Sequence, residues 1–205
     1  MRSEQNDSMR VVGIQKFVVR DKDGNIKPIW QDFTVGKYLL KFFRKICASP
    51  HESGILSYLA LYGLRIPFIT GYWAQFRVEK NLVPSAGKAG IASRIGGSGS
   101  EAAATYIAVG TGATAPAAGD TALQTEITDS GLARAAATMS RVTTTVTNDT
   151  SQADKTFSVT GTKAVTEAGL LNAAAAGVLF GRQTFSAINV VNGDSLQITY
   201  KMVVS

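Results

Sequence analysis

The feature that most constrains the fold is a strict alternation of side chains near the end of the chain. In SLQITYKMVVS, one face carries Leu196, Ile198, Tyr200, Met202 and Val204. Successive side chains of a β-strand point to opposite sides, so a period of two is that of a strand with one buried face. The stretch therefore predicts a strand whose apolar face packs against a second layer.

Other stretches predict further strands. SRVTTTVTN alternates in the same way, with Val142, Thr144 and Val146 on one face, and KTFSVTGT and GVLFGRQTFSAINVV indicate additional strands. Asn192-Gly193-Asp194 has the residue types of a tight turn, and it predicts that the last two strands pair across it. About six to eight short strands separated by turns predict an antiparallel β-sandwich over residues 105–205. The expected fold class is mainly β.

Residues 1–80 predict an N-terminal α+β arm. IQKFVVRDKDGNIKPIW predicts a hairpin around Asp23-Gly24-Asn25, residue types that tolerate positive φ. The same residues resemble the start of a calcium-binding loop. However, the glycine comes too early and no glutamate occupies the last ligand position, which favours a plain turn. VGKYLLKFFRKICAS, residues 35–49, predicts an amphipathic helix. Its basic face could meet a membrane or nucleic acid, but packing of its apolar face on the body is the favoured interpretation.

A stretch of small residues separates the arm from the predicted sandwich. NLVPSAGKAGIASRIGGSGSEAAAT predicts a short helix at residues 86–95, followed by a glycine- and serine-rich link. The predicted organisation is therefore an arm at 1–80, a helix and connector at 81–104, and a β-sandwich domain at 105–205.

Few residues have the chemistry of a catalytic or metal site. Cys47 and His51 are the single cysteine and the single histidine, which excludes an intrachain disulfide and a cysteine-based zinc site. Glu126, Asp129 and Glu167 are carboxylates of the kind that hydrolyse glycans, but nothing in the sequence pairs them. Glu167 is better interpreted as a residue that caps or orients a turn. We therefore predict no catalytic, cofactor-binding or metal-binding residues, and no enzyme.

The stretch TYIAVGTGATAPAAGDTALQTEI raises the question of a nucleotide site. An apolar run precedes Gly110-Thr111-Gly112-Ala113-Thr114-Ala115, which fits the opening of a dinucleotide-binding unit. However, Pro116 and Gly119 interrupt the helix that should follow, and the run LQTEITDS around Asp129 is too polar for a buried parallel strand. We interpret these glycines as turn glycines and predict no bound nucleotide.

Charge is unevenly distributed along the chain. Residues 1–100 contain 15 Lys and Arg against 7 Asp and Glu, whereas residues 101–205 contain 6 against 8. A basic half can meet nucleic acid, an acidic membrane surface or an acidic protein. No nucleic-acid-binding motif accompanies the charge, so nucleic acid is not the favoured partner.

No membrane span or signal peptide is expected. The most apolar window, residues 55–70, is interrupted by Arg65 and Pro67, and it falls short of the roughly 20 apolar residues that a span needs. The start MRSEQNDSMR is polar, unlike a signal peptide.

Several blocks between residues 80 and 205 carry a resemblance to a known family. They are NLVPSAGKAGIASRI, the block IAVGTG…DTALQTEI, the block TEAGL, and the closing FSAINVVNGDSLQITY. With these blocks the chain resembles a family of tailed-bacteriophage structural proteins, described as phage tail or virion proteins. The resemblance implies a virion component that is made in the host cytoplasm and belongs to the neck, the tail or baseplate, or the capsid surface.

The same resemblance implies partners rather than substrates. We expect contacts with other copies of the chain, as a homo-oligomer, and with other virion proteins, and no small-molecule substrate. Aromatic residues of the arm are the candidate assembly contacts, since buried aromatics dominate such interfaces: Trp30, Phe42, Phe43 and Trp73. The alternative is a receptor- or carbohydrate-binding module at the tail tip, which would use exposed aromatic and polar loop residues.

Overall fold

The structure of the chain, a computed structural model, describes residues 11–32, 71–74 and 77–204. Within these residues lie twelve strands and one helix. In chain order they are β1 (Val11–Arg20), β2 (Ile26–Lys27), β3 (Ile29–Asp32), β4 (Gly71–Ala74), β5 (Arg77–Asn81), α1 (Ser85–Gly96), β6 (Tyr106–Gly110), β7 (Ala135–Ala136), β8 (Thr138–Val142), β9 (Thr150–Ser158), β10 (Lys163–Leu171), β11 (Leu179–Val190) and β12 (Ser195–Val204).

The strands form three antiparallel sheets. A six-stranded sheet has the order β2-β1-β12-β9-β8, with β5 also paired to β1. A four-stranded sheet has the order β11-β10-β6-β7, and β3 pairs with β4 alone. The prediction of a mainly β fold built from antiparallel strands is confirmed.

The hydrophobic core contains residues of both larger sheets, and the alternation in β12 explains which of its side chains are buried there. Leu196, Ile198 and Tyr200 are fully buried, and Met202 is nearly so, whereas Val204 at the strand end is exposed. The four buried residues belong to one apolar cluster that also contains Ile188 of β11 in the four-stranded sheet. Burial of each such side chain contributes about 1.5–3 kcal/mol to folding.

The predicted separation of residues 1–80 as an arm does not hold for β1. β1 pairs with β12 along its whole length, from Val11 opposite Val204 to Arg20 opposite Ser195. Phe17 of β1 is fully buried in the shared core. The boundary was misplaced because hydrogen bonding between the two ends of a chain leaves no local signal in its sequence.

The predicted pairing of the last two strands is wrong. Gly193 does adopt the positive φ of a turn residue, at 90°. However, β11 continues into the four-stranded sheet and β12 into the six-stranded one, so the turn carries the chain between sheets. The turn is fixed from outside the two strands: the Val159 amide donates to the Asp194 carbonyl at 2.9 Å, and Lys27 Nζ donates to the Asp194 carboxylate at 2.6 Å.

The long strand predicted from SRVTTTVTN is only partly present. β8 ends at Val142, and a loop follows in which the Asp149 carboxylate accepts hydrogen bonds from the amides of Thr144, Thr145 and Val146 at 2.7–2.8 Å. Such local side-chain acceptors compete with a strand for the backbone donors, so the alternation of valine and threonine does not persist as β structure.

Two local predictions are confirmed. The hairpin between β1 and β2 turns at Gly24, with φ of 82°, and the Asp21 carboxylate accepts the amides of Asp23 and Asn25. The helix predicted at residues 86–95 is α1. The helix predicted at residues 35–49 lies outside the described residues.

Helix α1 packs closely on β11 through glycines. A Cβ on Gly87 would lie 2.8 Å from the Phe180 Cα, and one on Gly90 would lie 2.7 Å from the Phe180 ring. The helix ends at Gly96 and is capped by Gly97, whose left-handed conformation lets its amide donate to the Ser93 carbonyl. Among the described residues no helix has the length and apolar character needed to cross a membrane.

Candidate functional site: an apolar groove beside an edge strand

An apolar groove of about 510 Å³ opens where α1 lies across the end of the two larger sheets. Its apolar wall comes from the helix and from both sheets: Val11, Ile91, Met139, Leu170, Phe180 and Met202. The volume falls within the range of about 300–1,000 Å³ that is usual for protein binding pockets. The groove is therefore large enough to take several side chains of a partner.

Large apolar side chains are left exposed around the groove. The exposed fraction is 67% for Ile95, 39% for Met139 and 44% for Val204. A single exposed apolar residue is ordinary, whereas several around one concave site mark a surface that something else covers.

Strand β8 forms one border of the groove and is an edge strand. It pairs with β9 on one side, and no described strand pairs with its other side. Met139 lies opposite Ala153, which is buried, so Met139 and Arg141 lie on the inner face of the sheet and line the groove. An unpaired edge presents a row of free backbone donors and acceptors to any segment that approaches in an extended conformation.

Two arginines give the groove a positive rim. Arg94 of α1 and Arg141 of β8 are exposed and line it. Arg94 donates to the Glu101 carbonyl at 3.2 Å, and among the described residues neither arginine forms an ion pair. Asp149 also lines the groove, but its carboxylate is occupied by the backbone amides of its own loop. The hydrogen bond from the Val146 amide contributes most to holding the pKa of Asp149 far below its ordinary value.

A second polar feature, behind the glycine motif, is a buried carboxylate. Glu167 of β10 is fully buried. Its Oε1 accepts the amides of Gly112 at 3.1 Å and Thr125 at 2.7 Å, and its Oε2 accepts the amide of Gln124 at 3.0 Å and Nε of Arg182 at 2.9 Å. The interpretation of Glu167 as a residue that orients a turn is confirmed.

Arg182 of β11 continues this network to the other side of the loop. It is also buried, and it donates through Nη1 to Asp120 at 2.8 Å and through Nη2 to the Thr114 carbonyl at 3.1 Å. We call Glu167, Arg182, Asp120 and the loop amides they bind the loop lock. It fastens residues 111–125 onto the four-stranded sheet.

The loop lock explains the glycines that resemble a dinucleotide motif. No helix follows Gly112; residues 111–134 are loop, with one isolated bridge between Gly110 and Glu126. A Cβ on Gly112 would overlap the Glu167 carboxylate. The anion that these backbone amides face is therefore a side chain of the protein itself, and the glycines make room for it.

The candidate carboxylates of the sequence do not converge. Glu126 binds Nε of Arg134 at 2.9 Å, and Asp129 binds Lys163 at 2.8 Å, while Glu167 belongs to the loop lock. Each is held by a different cation, which is the arrangement of structural ion pairs.

The candidate assembly residues are only partly described. The backbones of Trp30 and Trp73 lie opposite each other in the β3–β4 pair, and Phe42 and Phe43 lie outside the described residues. Sequence reasoning missed the groove, although TMSRV does place Met139 and Arg141 on one face of a strand. Comparisons with protein families, curated proteins and solved structures give no match for this chain.

Proposed function

We propose that the chain is a non-enzymatic structural component of a tailed-phage virion, which assembles in multiple copies through contacts between subunits. The observation that carries the proposal is the apolar groove beside the edge of β8, which no described strand covers. Proteins that act alone usually shield an edge strand with charge, proline or a covering element, because the edge otherwise recruits other chains. In β8, the only charged residue is Arg141, and no proline is present.

The blocks that carry the family resemblance support the same proposal. The blocks IAVGTG…DTALQTEI and TEAGL supply Gly112, Asp120, Gln124, Thr125 and Glu167, which meet in the loop lock. These residues hold the loop at 111–125 against the four-stranded sheet. We further propose that the two larger sheets pack as a β-sandwich, because their facing residues share one apolar cluster.

The test is the composition of purified virus particles. Particles of the phage that encodes the chain are separated on a density gradient, and the chain is quantified by mass spectrometry against the major capsid protein. We expect the chain to co-sediment with particles in a fixed number of copies and to resist washing with salt. Recovery of the chain only in the soluble fraction of lysed cells would refute the proposal.

A further inference from the structure

We propose that the groove and the edge of β8 that no described strand covers form a docking site for one extended segment of a different virion protein, in which apolar and acidic side chains occupy every second position and so alternate along the face that meets the groove. This inference rests on the proposed function, because it names the partner of the same surface. The segment adds a strand to the six-stranded sheet next to β8.

The geometry of strand addition fixes which side chains of the segment enter the groove. Strands pair about 4.8 Å apart, and directly opposite residues point to the same face of the sheet. Residues of the segment opposite Met139 and Arg141 therefore point into the groove, whereas their neighbours point to the outer face. Backbone hydrogen bonds to the edge supply affinity, and the groove selects the alternate side chains.

The charge of the groove specifies the chemistry of those side chains. Its wall is apolar, which favours residues such as valine or leucine opposite Met139. Arg94 and Arg141 form no ion pair among the described residues. An acidic residue opposite Arg141 forms a cross-strand pair with it and lies within the field of Arg94.

We assign the groove to a different protein because the carboxylates between residues 77 and 204 are already bound within the chain. Each acidic side chain between residues 77 and 204 accepts a hydrogen bond or an ion pair from within the chain: Glu79, Glu101, Asp120, Glu126, Asp129, Asp149, Asp154, Glu167 and Asp194. Within residues 77–204, a second copy would have to give up one of these contacts in order to neutralise the groove, and all of these acidic residues except Asp129, in its exposed pair with Lys163, are at least partly buried. A foreign acidic segment does not have this cost.

The direct test uses two labelled ten-residue peptides as probes: Thr-Val-Thr-Glu-Thr-Val-Thr-Glu-Thr-Val, in which valine and glutamate alternate along one face of the strand, and the same sequence with lysine in place of both glutamates. Glutamate and lysine are both depleted in strands, so the two peptides differ mainly in the sign of their charge. Binding to the full chain is measured by fluorescence anisotropy at low and at physiological ionic strength. We expect the glutamate peptide to bind at least about tenfold more tightly than the lysine peptide, with a difference that shrinks as salt screens the charges.

Two variants with the same change in net charge locate the binding site. Arg94→Glu combined with Arg141→Glu should reverse the preference for the two peptides. The matched control is Lys88→Glu combined with Lys201→Glu, which alters side chains outside the groove and should keep the preference for the glutamate peptide. All four residues are at least partly exposed, so both variants should keep the wild-type melting temperature.

Several outcomes would overturn the inference. Equal binding of the two peptides, or binding of neither, refutes the charge argument with the wild-type chain alone. Loss of preference in both variants shows that net charge and not the groove is responsible. Concentration-dependent dimerisation of the chain that Arg141→Glu abolishes assigns the groove to a second copy. A chain absent from particles contradicts the proposed function, whereas a chain present in particles that does not discriminate between the peptides contradicts only this inference.

Discussion

Replacing Glu167 with glutamine tests the loop lock. The substitution keeps the shape of the side chain but removes its charge and turns one acceptor oxygen into a donor NH₂ group. If the NH₂ group takes the place of Oε1, the amides of Gly112 and Thr125 lose their acceptor; if it takes the place of Oε2, the amide of Gln124 and Nε of Arg182 lose theirs. Either orientation leaves two donors unsatisfied.

The expected cost follows from burial. Glu167 is fully buried and Arg182 is 2% exposed, so water cannot replace the lost acceptor. An unsatisfied buried donor costs about 1–3 kcal/mol, and breaking a buried ion pair costs about 3–5 kcal/mol. We therefore expect Glu167→Gln to lower the free energy of unfolding by about 3–5 kcal/mol.

Urea denaturation followed by circular dichroism measures this change, with hydrogen exchange as a local readout. Either the amides of Gly112 and Thr125 or the amide of Gln124 should exchange faster in the variant, because the orientation of the glutamine decides which of them lose a fixed acceptor. The matched control is Asp129→Asn, which breaks the exposed pair with Lys163 and should leave the unfolding curve nearly unchanged. A free energy of unfolding for Glu167→Gln within about 1 kcal/mol of the wild type would refute the reasoning, because it would mean that the loop amides find other acceptors.

Four further changes test other parts of the structure by their effect on the melting temperature. Gly112→Ala should lower it, because the added Cβ overlaps the Glu167 carboxylate, whereas Gly119→Ala should not, because no atom lies within 4 Å of its Cβ position; equal effects would contradict the loop lock. Gly193→Val should lower it, because a β-branched residue resists a φ of 90°, and an unchanged value would contradict the turn. Because the pKa of Asp149 is lowered in the folded chain, its ionised form stabilises the fold above pH 3.8, the ordinary pKa, and this stabilisation is lost as the pH falls further. Asp149→Asn should therefore reduce the fall of the melting temperature at acid pH. A melting temperature with the same pH dependence in both proteins would contradict this role. Deletion of residues 1–80 removes β1 and should abolish cooperative unfolding; a folded remainder would show that the sheet tolerates its loss.

Sequence patterns predicted strands well where one face is buried. β12 follows from its alternation, because a period of two and a buried core require the same side chains to point inward. α1 and the turn at Gly24 follow from small residues and from residues that accept a positive φ. These features depend on neighbours within a few positions, which a single sequence contains.

The pairing of strands could not be predicted in the same way. The turn at Gly193 reverses the chain, but its residues do not specify whether the flanking strands pair or enter different sheets. The pairing of β1 with β12 joins residues almost the whole chain apart, and no local pattern encodes it.

The groove could not be predicted for the same reason. Ile95 and Met139 come from elements that are far apart in the sequence, and their shared concave surface exists only after the sheets have assembled. From the sequence alone, Arg141 is indistinguishable from any other solvent-exposed charged residue. Only its position beside an apolar wall gives it a proposed role.

Cryo-electron microscopy of the intact particle can show whether β8 accepts a strand from a neighbouring virion protein, as proposed. The map needs a resolution at which individual strands separate. We expect one additional strand along Thr138–Val142, which continues the six-stranded sheet and places an acidic side chain beside Arg141. A map in which the edge of β8 and the groove face solvent in every copy of the chain would refute the proposed docking site.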